Sequence, residues 1–125
     1  MRAAYFTGHS SFSLEDVPAQ EPSANEVRIK VAFCGICGTD LHVFHGAMAE
    51  RIGNHRVIGH ESSGVIDAVG SKVTDFKCGD RVVVRPLDSC GECPACHRGH
   101  QHICQNLKFL GLDSDGAYQE PVSYT

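Results

Sequence analysis

Residues 90–104 read CGECPACHRGHQHIC, placing four cysteines and three histidines within fifteen positions. Cys90, Cys93, Cys96 and Cys104 have the spacing C-x2-C-x2-C-x7-C. Four thiolates close a tetrahedron around Zn²⁺, a d¹⁰ ion with no geometric preference of its own. The short gaps let successive sulfurs point at one centre, with Gly91 and Pro94 bending the chain between them. A ferredoxin-type iron–sulfur run ends C-x3-C-P, so it fits less well, because the last gap here is seven and no proline follows Cys104. A closed four-cysteine site leaves no position for water or substrate and is structural. His97, His100 and His102 then read as solvated loop residues, with exchange for a cysteine the lesser alternative.

Chemistry needs an open site, and two other segments offer one: CGICGTDLH at 34–42 and GHE at 59–61. Cys37 and His60 supply a thiolate and an imidazole from different elements, able to share a metal with a third ligand and one free position. Taken alone, a cysteine and a histidine twenty-three residues apart are a weak signal. Their neighbours strengthen it. Thr39 offers a hydroxyl beside the free position, and His42 a group able to pass a proton to solvent. Asp40 is a carboxylate suited to orienting the imidazole through its other nitrogen. Glu61 is either a ligand or a carboxylate close by.

Short strands must position these groups. MRAAYF and SFSLEDV flank a Gly8-His9-Ser10 turn, and NEVRIKVAFC (25–34) alternates Val27, Ile29, Val31 and Phe33 against Arg28, Lys30 and Ala32. SSGVIDAVG and DRVVVRP are further β-branched runs. GTDLHVFHG is the one helical stretch predicted, with Thr39 or Asp40 as its N-cap. LKFLGL and AYQEPVSYT are read as two closing strands, the latter ending inside strand-like sequence as a piece of a longer protein would. No repeat, low-complexity tract or linker interrupts the chain. Several short strands with turn signals predict a barrel or sandwich.

Composition limits the function classes. The 125 residues suit one domain, and 42% hydrophobic with 21% charged residues describes a globular chain. A net charge of −4, without a basic run, argues against a nucleic-acid surface. No stretch reaches the roughly 20 apolar residues of a membrane span, and the first residues lack a signal peptide's apolar core. A cytoplasmic setting is expected, where seven cysteines, an odd number, signify metal rather than disulfides.

VAFCGICGTDLH, VIGHESSGVIDAVGSKVTDFKCGDRV and the four-cysteine loop together resemble the zinc-dependent medium-chain alcohol dehydrogenases. The similarity runs in order along essentially the whole chain and is strongest to the sorbitol and threonine dehydrogenase branch. It implies a mainly β fold, a GroES-like partly open β-barrel with short helices and a zinc-binding loop at residues 88–106. It makes Cys37 and His60 ligands of a catalytic zinc, with Glu61 a ligand or in close reserve, since that branch often has glutamate in place of the second cysteine. Thr39 and His42 take the family's proton-relay positions. The resemblance also implies an alcohol or polyol substrate, NAD or NADP as cofactor, and a homo-oligomer for the full-length protein. Residues 1–125 then form the N-terminal part of the catalytic domain. The Rossmann cofactor domain is expected elsewhere, since no G-x-G-x-x-G occurs and GHESSG has only its outer glycines. The chain alone is expected to be inactive.

Duller readings accompany these. Cys34 reads as a buried small hydrophobe and Cys78 as structural or a free thiol. His45 and His55 read as exposed, flanking a loop near the substrate mouth. Asp80 reads as a turn residue or a surface partner of Arg81. Gly35, Gly38, Gly59 and Gly64 serve backbone geometry. The alternative to an enzyme is a zinc-stabilised scaffold or binding module without catalysis.

Overall fold

The computed structural model describes residues 1–124. Strand β1 (Arg2–Gly8) folds back on β2 (Ser11–Asp16) through His9 and Ser10, both at positive φ (51° and 56°). Two such residues give the turn the twist that a tight hairpin needs. β1 also pairs with the short β4 (Arg56–Val57). A second sheet is antiparallel and built around β3 (Val27–Gly35) and β5 (Glu61–Val69). β6 (Arg81–Val83) extends it beside β5, and β9 (Val122–Tyr124) beside β3. β7 (Leu87–Asp88) and β8 (Lys108–Phe109) pair at the base of the cysteine loop and close it. This strand-rich arrangement with few, short helices is the mainly β architecture that the sequence predicts.

Two apolar clusters hold the sheets. Val27, Ile29, Ile66, Val84, Leu110 and Val122 pack on the inner face of the larger sheet. Phe6, Val43, Ile52, Ile58 and Leu112 join the smaller sheet to the helices. Removing a side chain as buried as Ile58 or Ile66 from water contributes about 1.5–3 kcal/mol.

The structure corrects the strand alternation at one point. Val27 and Ile29 are buried as expected, but Phe33 is 78% exposed. The β3–β5 register shifts between Val31 and Phe33, leaving Ala32 unpaired, so the alternation inverts beyond the bulge. Gly64 permits that close pairing, since a Cβ there would lie 2.2 Å from the Lys30 carbonyl oxygen.

The helices differ from expectation as well. α1 (Gly38–Phe44) begins two residues earlier than a Thr39 cap allows, and its N-cap is Cys37. Three further short turns occur among the described residues: α2 (Ala49–Ile52), α3 (Pro94–His97) and a 3₁₀ turn over Gln101–Ile103. Four-residue helices carry too few periodic positions to show in sequence. The run AYQEPVSYT is strand only over β9; Ala3 bridges Gln119, and Thr125 lies outside the described residues.

Candidate metal centres

The cysteine loop folds so that four sulfurs converge. Pro94 opens α3, which carries Cys96, while Cys93 caps it and Cys104 follows the 3₁₀ turn. The Cys90–Cys104 and Cys93–Cys96 sulfurs lie 3.5 Å apart, and the Cys93–Cys104 pair 3.9 Å apart. A tetrahedron of Zn–S bonds of ~2.3 Å has S···S edges of ~3.8 Å, so the cluster fits structural zinc without rearrangement. The backbone N–H groups of Cys90 and Asn106 donate to Cys104 Sγ at 3.4 and 3.3 Å. Backbone N–H groups, that of Cys96 foremost, hold the Cys93 thiol down to about 6, whereas burial pushes Cys96 up to about 12. Four thiolates so close repel one another, and a divalent cation at their centre offsets that repulsion. His97, His100 and His102 are exposed outside the cluster, as solvated loop residues are.

The second cluster joins the end of β3 to the start of β5. Cys37 Sγ lies 3.0 Å from His60 Nε2, and with a Glu61 carboxylate oxygen the three atoms all fall within 4.8 Å of one another. Zinc with ligands at ~2.3 and ~2.05 Å spaces S and N by ~3.5 Å, so the pair need open by only about half an ångström. The thiolate, imidazole and carboxylate are a donor set that zinc accepts. Gly35 lies beneath the Glu61 carboxylate; a Cβ there would sit 3.2 Å from Oε2.

His60 is buried and its ring is clamped. Phe109 packs on it with ring centroids 4.7 Å apart, tilted by 58°. Buried Asp40 accepts the Cys37 N–H at 3.0 Å through Oδ2, while its Oδ1 faces His60 Nδ1 at 3.8 Å. The expected carboxylate–imidazole pairing therefore has the right nitrogen but lies beyond direct hydrogen-bond length. The Cys37 N–H holds that carboxylate on the other side. Nε2 faces the thiol, which is the orientation a ligand requires.

Cys37, His60 and Glu61 open into a cleft of about 740 Å³ that Thr39, Ser62, Phe33 and Val83 also line. Thr39 is half-buried in the wall, and His42 is exposed one turn further along α1. Ser62 Oγ is buried with no hydrogen-bond partner in the described structure. Phe109 and Ser62 were not singled out in the sequence. Phe109 sits in an apolar run that reads as ordinary core, and Ser62 follows the motif without departing from it.

Cys34 is half-buried rather than buried as expected, at the end of β3, while Cys78, Asp80, His45 and His55 fall as the duller readings had them. Burial and the nearby Asp40 charge push the Cys34 thiol up to about 11, favouring its neutral form over a ligating thiolate. Exposed Cys78 donates to the Asp67 carbonyl at 3.4 Å. Asp80 accepts the Lys77 N–H at 3.0 Å, a turn contact. His55 stacks on Tyr5 and lies 3.1 Å from Glu15, and His45 caps the end of α1. Neither lines the cleft. No described helix is long and apolar enough to cross a membrane.

Comparison with known proteins agrees with this geometry. Residues 23–125 match the alcohol dehydrogenase GroES-like domain family. A 2-dehydro-3-deoxy-L-galactonate 5-dehydrogenase from Pseudoalteromonas atlantica is 52% identical, over 95% of this chain and 35% of its own length. The sorbitol dehydrogenase of Bacillus subtilis is 42% identical over 98% of the chain and 35% of its own. The solved structure of an NAD-dependent alcohol dehydrogenase superposes with a TM-score of 0.91 at 33% identity, covering 99% of this chain and 37% of that one. The chain thus spans about a third of the length of the relatives it matches.

Proposed function

Because the chain belongs to the alcohol dehydrogenase GroES-like domain family, we propose that residues 1–125 form the zinc-binding N-terminal part of the catalytic domain of a dehydrogenase. The whole protein oxidises a secondary alcohol or polyol, with hydride passing to NAD or NADP held by a Rossmann domain outside these residues. It works in the cytoplasm on a small-molecule substrate, as a homo-oligomer, without nucleic-acid or membrane partners. The observation that carries the reading is the meeting of Cys37 Sγ and His60 Nε2 at 3.0 Å beside Glu61, at the wall of an open cleft. A scaffold stabilised by the four-cysteine zinc alone has no use for this second convergence.

Cys37, His60 and Glu61 hold the catalytic zinc, and Cys90, Cys93, Cys96 and Cys104 the structural one. Bound in the open site, zinc supplies Lewis-acid polarisation, which lowers the barrier to losing an alcohol proton at neutral pH. Thr39, in the cleft wall, accepts the substrate hydroxyl proton and gives up its own. His42, exposed on α1, passes that proton to solvent. Asp40 fixes the Cys37 backbone and faces Nδ1 of His60, so that Nε2 remains a ligand. Phe109 covers one face of the imidazole and excludes water from it.

The test is alcohol-dependent NAD(P)H formation by the whole protein. Thr39→Val, which keeps the shape and removes the hydroxyl, lowers kcat by about 10²–10⁴-fold with the metal content intact. The 125-residue chain alone gives no turnover. An undiminished rate in Thr39→Val removes the relay from the account, and turnover by the short chain removes the separate cofactor domain.

A further inference from the structure

A third segment bridges the two that supply the metal ligands. The backbone at 116–118 runs beside the residues leading into His60: Gly116 donates to the Val57 carbonyl at 2.6 Å, Ala117 to Gly59 at 2.8 Å, and Tyr118 to Ile58 at 3.0 Å. On its other side the Tyr118 carbonyl accepts the Ala4 N–H at 2.9 Å, so the base of this side chain is fixed from both sides. Its ring lies flat over Gly59, where a Cβ would fall 2.6 Å from ring carbon Cδ1. The phenol then reaches across to the Cys37 loop, 3.3 Å from the Gly35 carbonyl oxygen. Burial, then the charge on Asp40, drive the Tyr118 hydroxyl well above the ordinary phenol range, so it is a donor at neutral pH.

We propose that Tyr118 is a positioning residue of the Cys37/His60/Glu61 centre, its ring and phenol tying the backbone before His60 to the loop that carries Cys37 and Asp40. The inference rests on that cluster being a metal site. Asp40 has one oxygen engaged by the Cys37 N–H and the other 3.8 Å from His60 Nδ1. That second oxygen is too far from the imidazole to be fixed by it alone. The Tyr118 hydroxyl, bonded to the Gly35 carbonyl, restricts the loop that presents both Cys37 and Asp40 to that imidazole. The ring adds a mechanical link, since it spans from Gly59, the residue before His60, to Gly35, two before Cys37.

Cobalt(II) tests this, because its visible and thiolate charge-transfer bands report ligand geometry at each site. The wild-type chain is titrated with Co²⁺ alone, beside Tyr118→Phe, which keeps the ring over Gly59 and removes only the hydroxyl. The proposal expects Tyr118→Phe to weaken Co²⁺ at the Cys37 site about three- to tenfold and to shift that site's bands. The four-thiolate bands of the cysteine loop, in the same spectrum, stay unchanged and report that the chain is folded. Tyr118→Leu, lacking ring and hydroxyl, weakens the site further. Equal Co²⁺ affinity and identical bands in Tyr118→Phe and wild type overturn the positioning role while leaving the metal site standing. Uptake of a single Co²⁺ by the wild type, at the four cysteines only, overturns both.

Discussion

Gly59→Ala is the sharpest test of how the fold presents His60. Gly59 has φ +90°, a conformation that L-residues avoid. A methyl group there costs about 1–2 kcal/mol in backbone strain. It also enters the Tyr118 ring, with Cβ at 2.6, 2.7 and 2.9 Å from three ring carbons. No real contact is that short, so the ring must move, at about 1–3 kcal/mol for overpacking. The sum is about 2–5 kcal/mol. For a chain of this length each kcal/mol shifts Tm by ~4 °C, giving a loss of about 8–20 °C. Circular dichroism melts of the zinc-loaded chain read it directly. In a Tyr118→Ala background the steric part vanishes and the same substitution costs only the backbone part, a coupling of about 1–3 kcal/mol. A fall of less than ~4 °C in the single variant, or no coupling in the cycle, refutes the packing described here.

Other substitutions and conditions probe the remaining links. Asp40→Ala leaves the Cys37 N–H without its acceptor and weakens metal at the Cys37 site about 10–100-fold, read by competitive chelator titration; unchanged affinity contradicts its role. Stripping zinc from the four-cysteine loop speeds amide exchange at Cys90 and Asn106, whose N–H groups donate to Cys104 Sγ, while the β3–β5 ladder stays protected. Slow exchange after stripping shows that the loop holds its shape without a metal. Arg51 hydrogen-bonds the Asp113 carboxylate and holds it below its ordinary 3.8. A depressed folded-state value means stability that is present above 3.8 and lost as pH falls through the lower folded value. This partly exposed pair is worth about 0.5–1 kcal/mol, so Arg51→Ala melts ~2–4 °C lower at pH 6, and the difference closes under acid. A difference that persists undiminished at low pH assigns it to packing instead.

The two centres differ in how far the sequence discloses them. Cys90, Cys93, Cys96 and Cys104 are legible because two-residue gaps force neighbouring sulfurs together whatever the rest of the fold does. Cys37 and His60 meet only because β3 and β5 pair end to end, a long-range fact that spacing does not encode. Here the family resemblance supplied the pairing, and the geometry agrees with it. Phe109 and Tyr118 stayed hidden because an aromatic residue beside a metal ligand has the same local pattern as one in a core. The side of the sheet taken by Phe33 was misread because a bulge inverts alternation with no local warning beyond Gly64 on the facing strand. Cys37 as the helix cap was missed because Ser, Thr, Asp and Asn are the expected caps. Asp40, taken as a candidate cap, instead sits at the third helical position and accepts the Cys37 N–H.

Counting metal is the most direct test of a centre built from Cys37, His60 and Glu61 in addition to the closed one. Elemental analysis of the zinc-loaded chain should give two equivalents, falling to one in Cys37→Ser and in His60→Ala with the fold retained by circular dichroism. One equivalent in the wild type, unaltered by either substitution, would leave the four-cysteine loop as the sole zinc site and contradict the dehydrogenase account.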